Sequence, residues 1–424
     1  MLSMKGSDHG PSVLPEPDAK TRTGIEPVLM VAACPFPCRR GTPIRIERLA
    51  EAVARSGRPV HVVAYHYAGD GNVSLGASDP VYQLHRIPRV PGSWDPAPGP
   101  GLGKMAILNP LLLAKTVKVV RQHGIRLLHC HHYEGLLVGL AVRQLLPVSI
   151  VYDAHTLLGD ELSYYGPEFS KGALTRFGTY LDRTLPKRAN HVIPVTDDIF
   201  DKIAEHGGNG ERMTIIGNGI EEEAIEAFSQ GDVAPVPGRV VYAGNLAAYQ
   251  GIDLLLEAFK LAAAECQEAQ LVLVSPKPHG PVQEAADNLG IGDRVSFVDA
   301  EHADLPFELR SASVLVNPRV HCPGYPLKLL NYMAAGRPIV SFDSSGKNLR
   351  NGVDAVLVPD EDIPGFAKGI AGLLSNPDRA DDLGGTARQR AFRDYSWNAI
   401  AMRVHHAYEQ ALSDVRGAEV PAVS

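Results

Sequence analysis

The sequence predicts an α/β fold made of two tandem Rossmann-like domains, and three observations carry this prediction. Short apolar runs alternate with amphipathic stretches at helical spacing, which is typical of parallel sheets covered by helices. The alternation starts again after residue 238. The length of 424 residues is enough for two or three compact units, each with a core of its own.

The first domain is predicted over residues 27–217. It opens with a continuous apolar run at 28–33, typical of a buried strand, and the apolar spacing at 45–56 predicts a helix after it. Further strands are predicted at 60–65, 81–87, 127–131, 148–152, 192–195 and 213–216, and helices at 104–123 and 133–144.

An interdomain segment with several prolines and glycines is predicted at 218–238, and the second domain at 239–394. An amphipathic helix within 395–413 and a tail at 414–424 complete the chain. The strands of the second domain are predicted at 239–243, 270–274, 295–298, 314–316 and 338–342, and its helices at 251–265 and 281–289.

Composition narrows the class of protein. Lys and Arg total 41 against 48 Asp and Glu, and the resulting net charge of -7 argues against nucleic-acid binding. The 5 cysteines are an odd number without a C-x-x-C pair, which favours a reducing cytoplasm over a disulfide framework.

No targeting or membrane-spanning segment is predicted. Residues 1–26 are polar, so we expect a disordered leader rather than a signal peptide. The longest apolar stretch, 135–152, is interrupted by Arg143, Gln144 and Pro147, and therefore is not expected to span a bilayer.

The strongest local signal for chemistry is the segment that begins at Asn317, NPRVHCPGYPLKLLNYMAAGRPIV. A strand leads into a Pro/Gly loop, a helix is expected to start near Pro326, and its free N–H groups suit a diphosphate. Lys328 would neutralise phosphate charge, and Asn331, three residues further on the same face, would bind a sugar hydroxyl. From these residues alone, a solvated Lys328 and a packing Asn331 remain an open alternative.

Residues 329–340, LLNYMAAGRPIV, resemble the signature of the retaining family 4 glycosyltransferases, which have the two-domain GT-B fold. The segments 242–259, 214–220 and 37–49 are similar to that family's first donor-domain unit, interdomain segment and Gly-loop. The resemblance implies a central cleft and a last helix that packs back on the first domain. It also implies sugar transfer from a nucleotide-sugar to a glycan, lipid-linked or small-molecule acceptor, with no metal and no cofactor beyond this co-substrate.

The resemblance also implies the residues of the donor site, and two pairs of them depart from the family pattern. Asn245 and Gln250 stand where the family usually has Arg and Lys, and Pro323 and Asn331 stand where it usually has two glutamates. We therefore expect Lys328 to provide the countercharge for the diphosphate. The other residues predicted to bind the donor are Gly41, Thr42, Gly244, Arg319, Gly324, Tyr325, Pro326 and Leu327.

On the acceptor side, Gly41 and Thr42 follow the first strand, where a glycine lets a ligand approach the backbone and a helix start attracts anions. An ordinary strand-to-helix turn is the alternative. Asp153 and His155 follow another strand, at the edge where open α/β sheets bind ligands, and are predicted to orient the donor sugar or the acceptor hydroxyl. With Lys328, they are the predicted catalytic residues.

His129, His131 and His132 together with Cys130 raise the question of zinc, because imidazole and thiolate are zinc ligands. His129 and His131 alternate with Cys130 along a strand, so not all of them can converge, and no carboxylate or second Cys stands nearby in the sequence. We therefore predict no metal site here.

Four basic residues interrupt an apolar stretch of the first domain: Lys115, Lys118, Arg121 and Arg126. This pattern fits peripheral contact with an anionic membrane at its inner face, and equally fits a solvated helix face.

Two rival functions remain. A non-catalytic sugar-nucleotide or glycan-binding protein on the same fold would explain the neutral Asn245 and Gln250. A dinucleotide-dependent oxidoreductase is disfavoured, because residues 34–41 contain one glycine rather than a G-x-G-x-x-G motif.

Overall fold

The computed structural model describes residues 25–38, 41–66, 81–90, 104–162, 168–299, 304–320 and 327–416. Three predicted donor-site residues, Gly324, Tyr325 and Pro326, lie outside these ranges. So do most of the predicted leader and residues 417–424 of the predicted tail.

The first domain is built on a six-stranded parallel sheet with the strand order β3-β2-β1-β4-β5-β6. Apolar side chains fill both of its faces, as the continuous apolar runs of the sequence predict for a parallel sheet with helices on both sides. Its elements are β1 (Val28–Pro35), α1 (Gly41–Arg55), β2 (Val60–Tyr65), β3 (Gln83–Arg86), α2 (Asn109–His123), β4 (Leu127–His131), α3 (His132–Arg143), β5 (Ser149–Ala154), α4 (Leu158–Leu162), α5 (Glu168–Thr184), β6 (His191–Pro194) and α6 (Asp197–Glu205).

A second six-stranded parallel sheet, with the order β12-β11-β10-β7-β8-β9, forms the second domain. A short helix, α7 (Glu222–Ser229), precedes it. The elements are β7 (Arg239–Ala243), α8 (Ile252–Glu265), β8 (Gln270–Ser275), α9 (Gly280–Asn288), β9 (Val295–Asp299), α10 (Leu305–Arg310), β10 (Val314–Asn317), α11 (Lys328–Ala335), β11 (Ile339–Phe342), α12 (Asp343–Gly346), β12 (Val356–Val358), α13 (Ile363–Leu374) and α14 (Pro377–Asp394).

The last helix, α15 (Trp397–Arg416), packs on the first domain, as expected. Its buried side chains Trp397, Ile400 and Val404 join the core formed by α1 and one face of the first sheet. The interdomain segment passes under this helix at Gly219, where a Cβ would come within 2.6 Å of the Trp397 indole. The two sheets and this returning helix confirm the predicted fold class.

Three details differ from the sequence expectations. β5 extends to Ala154, so Asp153 lies inside the strand rather than after it. α1 begins at Gly41, four residues earlier than expected. The strand predicted at 213–216 is not formed as a named strand: the segment runs along β6 through an isolated bridge at Met213 and hydrogen bonds from the Thr214 and Ile216 N–H groups to the Val192 and Pro194 carbonyl oxygens.

No helix within the described ranges is both long and apolar enough to cross a lipid bilayer.

Candidate functional site

The predicted donor residues of the second domain that the structure describes gather at the carboxyl ends of β7 and β10, which are neighbouring strands, whereas Gly41 and Thr42 lie on the first domain. Between them lies the loop Gly244–Gly251, whose two end glycines are required by the backbone. Gly244 has φ +151 and Gly251 has φ +71, where side chains are strained. A Cβ on Gly251 would also lie 2.2 Å from the carbonyl oxygen of Pro318. The loop is therefore pressed against the chain that leaves β10.

Lys328, the first residue of α11, reaches into this loop. Its Nζ donates a hydrogen bond to Gln250 Oε1 at 3.1 Å and lies 4.6 Å from the centre of the Tyr242 ring. Gln250 is buried and neutral, so it orients the ammonium group without cancelling its charge. The face of Tyr242 attracts the same cation. The arrangement holds a positive charge at the carboxyl edge of the sheet.

A second cation, Arg319, follows β10 at the same edge. Its guanidinium carbon lies 4.9 Å from the centre of the Tyr249 ring, which belongs to the same loop. Asn245 braces this loop from within: its Nδ2 donates to Tyr249 Oη at 3.1 Å, and its Oδ1 accepts from the Ala247 N–H at 3.2 Å. Asn245 therefore shapes the loop, whereas Arg319 and Lys328 carry its charge.

α11 is fixed to the sheet by a buried tyrosine. Tyr332 Oη accepts from the Ala243 N–H at 2.7 Å, which anchors the helix beside the end of β7. Asn331 lies one turn beyond Lys328 and is half-buried, and Leu327 is exposed just before the helix. The helix that carries Lys328 is thus held in register with the loop it contacts.

The carboxyl ends of β8 and β9 form the continuation of this edge. The His279 ring stacks on Phe297 with 4.6 Å between ring centres, and its Nε2 lies 3.0 Å from the Ser275 carbonyl oxygen. Lys277 pairs with Asp299 at 3.3 Å. These side chains line the strand ends on the same edge as Lys328.

The predicted residues of the first domain form a separate, buried cluster at the carboxyl ends of β4 and β5. Asp153 is fully buried and receives two hydrogen bonds from Arg45, from Nε at 3.0 Å and from Nη2 at 2.9 Å. Arg45 also donates to the carbonyl oxygens of Ile216 and Gly217, at 2.8 Å each. This guanidinium therefore joins α1, β5 and the interdomain segment.

Two imidazoles complete the cluster. His131 Nδ1 and His155 Nε2 lie 3.0 Å and 3.1 Å from Asp153 Oδ2. Burial alone would raise the pKa of Asp153, but the Arg45 charge and the histidine contacts hold it well below its usual range. Burial lowers the pKa of His155 to about 4 and also lowers that of His131. Near neutral pH the carboxylate is ionised and both rings are neutral.

The charge states fix the tautomers. An ionised carboxylate only accepts hydrogen bonds, so His131 must carry its proton on Nδ1 and His155 on Nε2. The opposite nitrogens, His131 Nε2 and His155 Nδ1, are then hydrogen-bond acceptors. Within the described part of the chain, His131 Nε2 is buried without a hydrogen-bond partner. Each ring therefore keeps one nitrogen with a lone pair that can accept a hydrogen bond.

Gly41 and Thr42 are the first two residues of α1, the helix that carries Arg45 one turn later. A Cβ at Gly41 would meet no described atom within 4 Å, so the space beside it is open to a ligand. The structure thus gathers the described site residues into a group on each domain. Lys328 and the loop Gly244–Gly251 lie on the second domain. Asp153, His155 and the start of α1 lie on the first domain.

A metal at the first-domain cluster fits poorly. His129, His131 and Asp153 do bring potential ligand atoms within 4.8 Å of one another, contrary to the expectation that no carboxylate stands nearby. However, the Asp153 oxygens already face the Arg45 guanidinium, whose charge repels a cation. The thiol of Cys130 instead packs in the core on the other face of the sheet.

Sequence reasoning missed Arg45 as a site residue and saw His131 only as a zinc ligand. Arg45 precedes Ile46 on a helix whose apolar face covers the sheet, so an arginine there is normally expected to be exposed. The position of His131 in the sequence could have indicated a site residue, because it is the last residue of a buried strand, at the edge where ligands bind.

Two family models match the chain, one on each domain. Residues 39–224 match the model described as Glycosyltransferase Family 4, and residues 237–376 match the one described as Glycosyl transferases group 1. These matches favour an enzyme over the non-catalytic binding protein that the sequence left open.

Curated relatives agree. A D-inositol 3-phosphate glycosyltransferase of Rhodococcus jostii is 24% identical over 306 residues, which is 67% of this chain and 66%, just under two thirds, of that protein. The enzyme of the same name from Geodermatophilus obscurus is 27% identical over 364 residues, 77% of this chain and 76% of its own.

Solved structures share the fold. Sucrose-phosphate synthase from Thermosynechococcus elongatus superposes with a TM-score of 0.66 at 20% identity, covering 92% of this chain and 100% of its own. Anabaena HepE in complex with UDP gives a TM-score of 0.64 at 16% identity, with the same coverage of both chains.

Proposed function

We propose that the two domains of this chain, which belongs to the retaining family 4 glycosyltransferases, bind different substrates of the reaction. The enzyme moves a sugar from a nucleotide-sugar donor to an acceptor. In our proposal, the second domain binds the donor at the edge that carries Lys328, and the first domain presents the acceptor. The observation that carries this proposal is the contact of the Lys328 ammonium with the neutral Gln250 at 3.1 Å.

The reaction explains why this charge matters. When the bond from the anomeric carbon to the diphosphate breaks, negative charge grows on the leaving phosphate. Charges and dipoles held in place before the reaction stabilise such a transition state most effectively. Lys328 meets this requirement because Gln250 and Tyr242 orient it, and Arg319 stands at the same edge as a second cation.

The first domain contributes acceptors of hydrogen bonds. His155 Nδ1 accepts from a hydroxyl group of the donor sugar or the acceptor, while Asp153 and Arg45 keep both rings in the required tautomers. None of these groups is a strong base near neutral pH. The leaving phosphate itself therefore takes the acceptor's proton on the face where the sugar leaves and arrives, which fits retention of configuration.

UDP is the nucleotide we favour for the donor, because the Anabaena neighbour was solved with UDP. Its base would lie near His279, and its diphosphate near Lys328. Donor binding and transfer proceed without a metal ion in this proposal, because Lys328, Arg319 and the backbone at the start of α1 supply the positive potential.

For the acceptor we propose a glycan or a lipid-linked sugar. The relatives from Rhodococcus and Geodermatophilus are named for D-inositol 3-phosphate, so this phosphate is the first small molecule to test as an acceptor. Transfer to it would replace the glycan proposal.

We also propose peripheral contact with an anionic membrane. Within α2, Leu112 and Val119 face the core, whereas Lys118 and Arg121 are exposed on the solvent side. Co-sedimentation with vesicles that contain anionic lipid, and not with neutral vesicles, supports the contact. If the protein is absent from the pellets of both kinds of vesicle, this face of α2 is a solvated surface.

The test of the function is a donor screen on the purified chain. Nucleotide-sugars are ranked by the rise in Tm that they cause, because a ligand of the folded state stabilises it by mass action. Donors that bind are then incubated with acceptors in EDTA, and the product's anomeric configuration is read by NMR. A transferred sugar with retained configuration is expected. A donor that binds but is neither transferred nor slowly hydrolysed would contradict the proposed function.

A further inference from the structure

Three histidines from three elements of the first domain meet near the outer edge of its sheet. His61 is the second residue of β2, His85 belongs to the edge strand β3, and His123 is the last residue of α2. One ring nitrogen from each lies within 4.8 Å of the others. His61 Nδ1 and His85 Nε2 are 3.0 Å apart, and the His123 ring centre lies 4.3 Å from that of His61.

The topology explains why they converge. His61 lies on the face of β2 that α2 covers, because it alternates with Val60 and Val62, which pack in the core on the opposite face. In the register of the two strands His85 pairs with Val63, two residues along from His61 on the same face. Three residues join α2 to β4, so the helix ends beside the amino ends of the strands.

The cluster is separate from the acceptor site. His131 and Asp153 stand at the carboxyl ends of β4 and β5, whereas His123 stands beside their amino ends, about 15 Å away along a five-residue strand. It also differs from that site in having no described arginine in hydrogen-bond contact, and a nearby cation that acts on it is Lys115: burial, His123 and the Lys115 charge lower the pKa of His85. Its chemistry therefore serves a purpose other than binding the transferred sugar.

The donor set selects a class of ligand. Three imidazoles suit zinc, copper and nickel ions, whereas magnesium and calcium prefer oxygen ligands. Around a tetrahedral zinc ion, ligand nitrogens are roughly 3.3 Å apart, given Zn–N bonds of about 2.0–2.1 Å. The 3.0 Å pair nearly meets this spacing, and the His123 ring nitrogen, which lies within 4.8 Å of both, closes to it when the ion binds. His85 and His123 are half-buried, which leaves a path for an ion and a place for a fourth ligand from solvent.

We propose that His61, His85 and His123 bind a divalent transition-metal ion, with zinc as its type. Each imidazole donates one lone pair, and water takes the fourth position. The hydrogen bond between His61 and His85 is exchanged for two metal bonds. The ion then ties β3, an edge strand of four residues that pairs with β2, to its neighbour and to the end of α2. A structural metal of this kind holds a short edge strand in place.

The experiment uses the whole chain, stripped of metal with EDTA and then dialysed. Zinc is added at micromolar concentration, and its binding is followed by calorimetry and by the rise in Tm. Cobalt serves as a spectroscopic probe, because a tetrahedral cobalt site absorbs strongly in the visible range. We expect one zinc ion per chain, a higher Tm, a tetrahedral cobalt spectrum and no response to magnesium.

Two variants locate the ion. His85→Gln and His123→Gln each remove one half-buried ligand, and each should weaken zinc binding by more than about tenfold and abolish the cobalt spectrum. His406→Gln, which removes an exposed histidine on α15, should change neither. The Tm of each variant without metal shows that it folds.

The proposal is overturned if the parent chain binds no zinc at micromolar concentration. It is also overturned if His85→Gln and His123→Gln both bind zinc as the parent does. Loss of binding in His131→Gln, with His85→Gln unaffected, would place the ion in the acceptor cluster instead.

Discussion

Lys328 and Gln250 form a pair in which a neutral amide stands beside the cation of the proposed donor site. The loop Gly244–Gly251 contains no Lys or Arg. Asn245 makes hydrogen bonds within the loop, and Gln250 accepts a hydrogen bond from Lys328. A second cation at Gln250 would repel Lys328 at this distance. In the proposed donor site the helix therefore carries the charge, and the loop orients it.

Lys328→Ala should reduce turnover by a factor of about 10²–10³, the range found when one group that stabilises a transition state is removed. Lys328→Arg should recover only part of this loss, because a planar guanidinium cannot replace a point charge between Gln250 and Tyr242. Steady-state rates with the best donor of the screen measure both effects. Lys260→Ala, on the exposed side of α8, is the control. Unchanged rates in Lys328→Ala would transfer the role to Arg319.

Asp153 and His155 should respond differently to mutation. Asp153→Asn leaves the Arg45 guanidinium buried without a countercharge, so it should lower the free energy of unfolding by about 3–5 kcal/mol. His155→Gln keeps a neutral polar group and should lower kcat more than it weakens nucleotide binding, because His155 lies on the other domain from the donor site. Chemical unfolding and nucleotide titration separate the two. Equal losses of kcat and nucleotide affinity in His155→Gln would give it a folding role.

At the scale of elements, the loop Gly244–Gly251 shows what the sequence could and could not predict. The strand, glycine, loop and helix were all predictable from the apolar run, the two glycines and the helical spacing that follows. The internal bonds of Asn245 were not, because an asparagine in a turn has several backbone partners within reach. Similarly, Arg45 escaped prediction because its partner Asp153 is 108 residues away in the chain.

Gly251→Ala tests whether this loop builds the donor site. A side chain there adopts φ +71 and also meets the Pro318 carbonyl oxygen at 2.2 Å, so the loop must shift away from β10. Gly290 has a similar φ of +74, but a Cβ there meets nothing within 4 Å. Gly290→Ala should therefore cost about 1 kcal/mol of stability and leave nucleotide affinity unchanged. Gly251→Ala should cost more and weaken nucleotide binding. Equal effects of the two would show that the loop position is immaterial to the donor.

At the scale of the whole molecule, α15 and the interdomain segment connect the second domain to the first. α15 follows α14 of the second domain but buries Trp397, Ile400 and Val404 in the core of the first. Lys347 of the second domain pairs with Asp198 of the first at 2.9 Å. The alternation of strands and helices predicted both sheets, whereas these connections depend on contacts between distant parts of the chain and were predicted only through the family resemblance.

Acid should destabilise the whole molecule in a defined pH window. The folded pKa of His155 is about 4, below its ordinary value of 6.5, so the unfolded chain binds more protons between these values. The contribution of His155 to the free energy of unfolding is therefore complete above pH 6.5, and it decreases as the pH drops towards 4. Between pH 7.5 and pH 5 this loss is about 2 kcal/mol. Chemical unfolding at both values, repeated with His155→Gln, should show a smaller loss in the variant. An equal loss would assign the pH dependence to other groups.

We propose that the second domain binds the nucleotide diphosphate at Lys328 and the Gly244–Gly251 loop, without a metal ion. Hydrogen–deuterium exchange with and without UDP, in EDTA, measures it most directly. We expect slower exchange in peptides that cover Gly244–Gly251 and residues 327–331, with His406→Gln behaving as the parent chain does and Lys328→Ala losing the effect. Protection that requires added magnesium, or that appears only in the first domain, would contradict it.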